Sequence, residues 1–266
     1  MVDLDAYFAR IGYDGPRTPT LEVLAAMHAL HTATIVFEDI DVQLDRGVDI
    51  APEAVDAKLI GARRGGYCYE QNGLFKRVLE ALGFQVEGLL ARVQWMLPLD
   101  SPRGRTHMAL RVTIEGEPWL ADVGFGNALP GPIRFDLDTP QSTAHEDYRL
   151  ASVGRERRLE ALIGESWEPV YQLAPDAQLD VDFVLPNWFS STHPTSNFRQ
   201  NLIIARTTPT MRYNLLNNRL TTRTPGGGAD RQVLTAGEIS EAAADIFGLP
   251  VQPDWMAVFE RAAARD

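Results

Sequence analysis

A chain of 266 residues keeps one cysteine, Cys68, in the stretch RRGGYCYEQNGLF from 63 to 75. A thiol does covalent chemistry as its thiolate, and it needs a base beside it. The spacing predicts that Cys68 stands where a glycine loop turns into a helix. There the positive end of the helix dipole favours the charged sulfur, and a neighbouring imidazolium favours it further. Gly65 and Gly66 allow close backbone approach, and their amides are candidates for holding an oxyanion. A lone cysteine also has a plainer reading, as a small buried apolar residue.

Five histidines are available as the base: His28, His31, His107, His145 and His193. Local geometry selects His107. The segments HMALRVTI and WLADVGF flank EGEP and read as a hairpin. If Glu115 and Gly116 form the turn, position 107 faces position 124. Asp122 then lies diagonally from His107 on the same face, about 7–8 Å away along the backbone, within reach of both side chains. A slip of one residue would put them on opposite faces. Asp122 would orient the ring and stabilise its cation. Neither residue is near Cys68 in sequence, so the sulfur–imidazole contact depends on tertiary packing. His28 and His31, three residues apart near Glu38 and Asp39, raise the alternative of a metal site, but no further ligand has convincing spacing, and no metal is expected. Gly226 to Gly228 read as a flexible loop, since no Lys-Ser/Thr pair follows as in a phosphate-binding loop.

The elements that must carry these residues change character along the chain. Helical periodicity runs over roughly 4–11, from Thr18-Pro19 into a second helix, over 52–59, and after Cys68 as far as Gly83. On the second helix Leu21, Leu24, Met27 and Leu30 make a candidate apolar face, with His28 and His31 alongside. From 84 to about 175 the pattern is that of strands, as in FQVEGLLARVQW, DYRLAS, RRLEALI and EPVYQL, and predicts a barrel or sandwich. The remainder is mixed. LDVDFVLPNWFSS reads as a helix bent or ended by Pro186. MRYNLL and RLTTRT pair around Asn217-Asn218. Thr235 and Glu238 have capping-box spacing, and PDWMAVFERAAARD is a closing amphipathic helix. Helices, then strands, then a mixed segment predict separate lobes instead of alternating βαβ units.

Composition narrows the function. The formal net charge is -11, which disfavours nucleic acid and anionic membranes as partners. One cysteine makes no internal disulfide, the N-terminus lacks the basic start and apolar stretch of a signal peptide, and no apolar run would span a bilayer. A cytoplasmic protein, monomer or homodimer, is the expectation.

These motifs resemble those of the arylamine N-acetyltransferases. RGGYCYEQN at 64–72 is similar to that family's nucleophile segment, THMALRV at 106–112 to its histidine segment and LADVGFG at 120–126 to its aspartate segment. IVFEDIDV at 35–42 and STHPTSNF at 191–198 are further echoes. The first of these departs at Val36 and Asp39, where the family has proline before the phenylalanine and asparagine after the glutamate. The resemblance implies an α+β fold of three lobes with a cysteine-protease-like core: a helical bundle over 1–83, a β-barrel over 84–190 and an α/β lid over 191–266. It implies acetyl transfer from acetyl-CoA to aromatic amines, hydrazines or N-hydroxyarylamines, through Cys68, His107 and Asp122. Phe37, Phe125 and Phe198 are then candidates for the walls of an aromatic site, each with plain core packing as its alternative. The loop 124–131, with Gly124, Gly126 and Asn127, is the candidate cradle for CoA phosphates, and Arg103 and Gly104 for the cofactor channel. Two rivals keep the same residues: a hydrolase of transglutaminase or peptidase type, with water as acceptor, and a silent protein that only binds CoA or an aromatic ligand.

Overall fold

The structure is a computed structural model that describes residues 2–98, 103–127 and 129–265. Its first lobe is helical: α1 (Leu4–Ile11), α2 (Leu21–Thr34), the two-residue strand β1 (Phe37–Glu38), α3 (Ile40–Gln43), α4 (Pro52–Asp56) and α5 (Cys68–Ala81). Asp3 caps α1 through Ala6 N at 3.0 Å, and Thr20 caps α2. The second helix thus opens just after Pro19. Its buried face also differs from expectation. His28 and His31 lie fully inside with Val23, Leu24 and Met27, while Leu21 and Leu30 are half-exposed. The helix rotates toward the imidazoles because each finds a buried polar partner there, as described below. The segment after α4 continues as a π-helical turn, Ala57–Gly61, so the expected single helix over 52–59 has two parts.

Seven strands follow in the order β5-β4-β3-β2-β8-β7-β6 and curl into a nearly closed barrel. They are β2 (Gln85–Val93), β3 (His107–Ile114), β4 (Glu117–Ala121), β5 (Ile133–Arg134), β6 (Tyr148–Val153), β7 (Glu156–Ile163) and β8 (Ser166–Leu173). The β3–β4 hairpin pairs Ile114 with Glu117 and Leu110 with Ala121, the register expected from the turn. Glu115 and Gly116 both have positive φ, the conformation of a tight hairpin turn.

The third lobe contains α6 (Val184–Thr192), α7 (Asn197–Gln200), β9 (Ile203–Thr207), β10 (Arg212–Leu216), β11 (Arg219–Arg223), β12 (Ala229–Val233), α8 (Ala236–Asp245) and α9 (Met256–Ala263). Pro186 neither bends nor ends α6. It sits in the first turn, where a helix has no use for its missing N–H. That helix runs through position 190, where the lobe boundary was expected. Strand β12 is an exposed edge strand that sequence patterning missed, because every one of its residues faces solvent. Among the described residues no helix is long and apolar enough to cross a membrane.

Strand β1 ties the lobes together. One edge pairs with β9 through Phe37–Ala205 and Glu38–Ile204. Its other edge holds the loop before Cys68: Gly66 N donates to Val36 O at 3.2 Å, and Glu38 N donates to Gly66 O at 3.1 Å. Beneath that loop lies a buried ionic cluster. Arg64 pairs with Glu38 at 2.7 Å and with Asp41 at 3.0 Å, and Lys58 bridges Asp41 at 2.8 Å and Glu70 at 2.7 Å. The Arg64 guanidinium also stacks over the Trp255 ring, 4.8 Å from its centroid.

The two departures from the family pattern sit on this seam. Val36 packs into the core of the third lobe with Ile40, Leu202 and Ile204. Asp39 is buried. Its Oδ1 accepts from Ile203 N at 2.9 Å, whereas Oδ2 has no hydrogen-bond partner. Burial, reinforced by Glu38, pushes the Asp39 carboxyl well above the usual range, against the opposing pull of Ile203 N–H and Lys58. The folded state therefore holds a proton that the unfolded chain releases near pH 4, so this residue costs more stability as pH rises. Asp39→Asn keeps the acceptor for Ile203 and removes the titration. It should raise stability by about 1–3 kcal/mol at pH 8 and by less at pH 5, read from melting curves. A gain of equal size at both pH values would count against a carboxyl origin.

Candidate active site

Cys68 occupies the first position of α5, where a helix N–H has no intrahelical carbonyl. Glu70 fixes this corner by accepting from Tyr67 N at 2.9 Å. The glycines before it are required by contact. A Cβ on Gly65 would fall 2.1 Å from Val36 O, and one on Gly66 would fall 2.6 Å from the Glu70 carboxylate. This corrects one expectation: the Gly66 amide does not stand ready for an oxyanion, because it is committed to Val36 O. The first-turn amides of α5, beginning with Cys68 itself, are the remaining donors of the right kind.

His107 begins β3, and Asp122 follows β4. The hairpin brings them together as its register requires, with His107 Nε2 and Asp122 Oδ2 2.7 Å apart. The Cys68 thiol acts electrostatically on the His107 ring, and its Sγ lies 3.9 Å from the carbonyl oxygen of Thr106, the residue just before that histidine. Since Nε2 is engaged by Asp122, Nδ1 is the nitrogen left for sulfur. All three residues are at most 2% exposed. Burial alone would lower the His107 pKa. The Asp122 carboxylate, its hydrogen bond and the neighbouring Cys68 sulfur outweigh it and raise it to about 10. Asp122 shows the mirror effect: burial would raise its pKa, but His107, Asn72 and Gly124 N hold it below the usual carboxylate range. The pair is charged at neutral pH.

Asp122 is held on every side. Its Oδ1 accepts from Asn72 Nδ2 at 2.9 Å, Gly124 N at 3.0 Å and Phe125 N at 3.2 Å. Asn72 also donates to Met108 O at 2.7 Å and accepts from Val123 N at 3.1 Å, so one side chain links the helix of Cys68 to both strands of the hairpin. Sequence reading missed it, although its place four residues after Cys68 puts it on the same helix face. Tyr171, also missed, packs its ring 4.8 Å from His107 and 5.4 Å from Phe125. It reaches the site from β8, and no local pattern announces that. The two α2 imidazoles take part in buried hydrogen bonds. His31 bridges Tyr7 OH at 2.8 Å and Gln71 Oε1 at 2.7 Å, and His28 accepts from the Asp122 amide at 3.2 Å.

The other candidates divide. Phe37, Phe125 and Gly126 line one small cavity with Val123 and Ala205, about 10 Å³ in volume, or room for roughly one water. The Phe125 ring meets His107 edge-on at 5.1 Å. Phe198 packs on Phe37 at 5.8 Å and on Tyr67 at 5.4 Å, one ring back from that cavity. Gly124 lies against the nucleophile's backbone, where a Cβ would come 2.7 Å from the Cys68 Cα. Asn127 is half-buried, Arg103 and Gly104 are exposed, and the Arg103 carbonyl accepts from Arg92. Ala128, in the same loop as Asn127, lies outside the described residues.

A thiol, an imidazole and a carboxylate gathered at a helix start can serve as nucleophile, base and orienting group, and similarity to known proteins gives the chain its family. The N-acetyltransferase family model matches residues 20–256. An arylamine N-acetyltransferase of Mycolicibacterium smegmatis is 40% identical over 253 residues, covering 93% of this chain and 92% of that one. An arylamine N-acetyltransferase / N-hydroxyarylamine O-acetyltransferase of Salmonella typhimurium is 40% identical over 231 residues, covering 86% and 82%. The structure of the Mycobacterium marinum arylamine N-acetyltransferase in complex with CoA superposes with a TM-score of 0.92 at 38% identity, over 98% of both chains. The chain belongs to the arylamine N-acetyltransferase family.

Proposed function

We propose that this protein transfers an acetyl group from acetyl-CoA to aromatic amines, hydrazines or N-hydroxyarylamines in two half-reactions through acetyl-Cys68. The observation that carries the reading is Cys68 at the start of α5, its sulfur 3.9 Å from Thr106 O, beside a His107 that pairs with Asp122 at 2.7 Å. The Cys68 thiolate attacks the thioester carbonyl, and first-turn amides of α5 take up the negative charge on oxygen. The bond to the CoA sulfur breaks. The departing thiolate takes its proton from His107 Nδ1, and the acetyl group stays on Cys68. An amine then attacks this new thioester. His107, now neutral, accepts the amine proton, the bond to Cys68 breaks, and the thiolate–imidazolium pair is restored. Asp122 keeps Nε2 protonated throughout, so Nδ1 is the nitrogen that exchanges protons.

Phe37 and Phe125 are assigned to the aromatic acceptor and Phe198 to the support behind Phe37. The cavity between them is smaller than a benzene ring, so an aromatic acceptor seated there displaces the Phe37 or Phe125 ring. Gly124, Gly126 and Asn127 are assigned to the CoA side of the entrance, with Arg103 and Gly104 at its rim, where the exposed guanidinium suits a phosphate. Membership in the family favours transfer over the rival hydrolysis.

Intact-mass spectrometry after mixing with acetyl-CoA tests the first half-reaction. The expected result is one acetyl group per chain, located on Cys68 by peptide mapping and lost on adding an arylamine. Parallel double-reciprocal plots should accompany it. An unmodified chain, or an acetyl group that water removes as fast as an arylamine does, would sink the reading.

A further inference from the structure

We propose that His28 is a positioning residue for the triad, holding the main chain of Asp122 in register by accepting its N–H at Nε2. The role rests on the reading of Cys68, His107 and Asp122 just given. His28 comes from α2, 94 positions before Asp122 in the chain, and both residues are fully buried. The Asp122 amide follows directly on β4 and has no strand partner there. A buried N–H without an acceptor costs about 1–3 kcal/mol, so something must take this one. The Asp122 carboxylate cannot. Its Oδ2 serves His107, and its Oδ1 already accepts from Asn72, Gly124 and Phe125. His28 supplies the missing acceptor at 3.2 Å.

An imidazole accepts at Nε2 only when that nitrogen carries no proton, which puts the ring proton on Nδ1. The surroundings enforce this state. Burial lowers the His28 pKa to about 4, even though the Asp122 charge pulls it upward. The groups that face it are Asp122, the neutral His31 ring on its own helix and the edge of Phe75, 6.0 Å away on α5. Nδ1 has no hydrogen-bond partner in this pocket. An aliphatic side chain would fill the space without that cost. A histidine kept with one nitrogen unsatisfied and the other on the Asp122 amide is explained by the work of the second nitrogen. Loss of the acceptor would let residues 122–125 shift, and the carboxylate that sets the His107 ring would shift with them.

Two measurements test this, and neither depends on the acyl donor. The first uses the unaltered protein. Nitrogen NMR of the imidazoles between about pH 5 and pH 8 should show His28 neutral with its proton on Nδ1 throughout. A charged ring near pH 6, or a proton on Nε2, would overturn the proposal. The second is the rate of Cys68 alkylation by iodoacetamide near pH 6, where an ordinary thiol is slow. His28→Leu should lower this rate between about 10- and 100-fold, the cost of a misplaced reacting group. His28→Gln, whose amide oxygen can accept, should stay within about threefold of the unaltered protein. Equal rates for His28→Leu and wild type, or equal losses for Leu and Gln, would remove the role. If His28→Leu does not fold, the Gln rate and the NMR state decide. Slow alkylation of the wild-type protein itself would instead overturn the nucleophile reading on which the proposal rests.

Discussion

A Cys68→Ala protein is expected to melt close to the wild type and to transfer no acetyl group. The thiol is a small buried group with one long contact to Thr106 O, so its removal leaves a void of one sulfur atom and costs about 1 kcal/mol. The chemical loss is of another order. In the proposed scheme both half-reactions pass through the bond to this sulfur, and the sequence has no second thiol to replace it. Nucleophile deletions in comparable triads cost about 10⁶-fold in turnover, so arylamine-dependent CoA release should fall to background. Residual transfer above roughly one part in 10³ would mean that the amine attacks acetyl-CoA directly in a ternary complex, and the covalent scheme would have to go. Circular dichroism on the same sample separates a lost nucleophile from a lost fold.

Asp122→Asn should cost about 10³–10⁴-fold in turnover while keeping the backbone in place. Oδ1 faces three N–H donors, so the Asn oxygen must take that position. The Asn NH₂ then points at His107 Nε2 and requires it to accept. The ring proton moves to Nδ1, the nitrogen meant for sulfur, and the thiol loses its base. The charge balance changes as well. With the carboxylate gone, only Cys68 still opposes burial at His107, and its pKa falls from about 10. The stability effect follows from linkage. A histidine raised in the folded state contributes stability that is complete below about pH 6.5 and is lost as pH rises through its folded value near 10. The melting temperature of wild type should therefore exceed that of the Asn variant near neutral pH, with the gap closing toward pH 10. A gap that widens with pH, or an Asn variant with full turnover, would contradict the assignment of Asp122.

The part of the site that could be read in advance is the part fixed by local rules. The turn at Glu115-Gly116 sets a register, the register sets a face, and the face brings Asp122 to His107. Likewise Thr235 N and Glu238 Oε2 meet at 2.7 Å, because a capping box needs no more than four consecutive residues. The meeting of Cys68 with His107 lies beyond such rules, since it depends on how α5 packs on β3, and only the motif resemblance supplied it. His28 shows the limit differently. Its spacing with His31 resembled a ligand pair, yet one ring serves Tyr7 and Gln71 and the other the Asp122 main chain. Partners so far away in sequence leave no periodic trace. The edge strand β12 was missed for the opposite reason: with no buried side it carries no alternation at all.

Strand β1 has a temporal implication. The loop that carries Cys68 leans on β1, β1 leans on β9, and Arg64 leans on Trp255, far later in the sequence. During translation the amino-terminal third, β1 included, emerges before β9 and Trp255 exist. The corner that holds the sulfur is therefore braced only after elements made much later have docked against it.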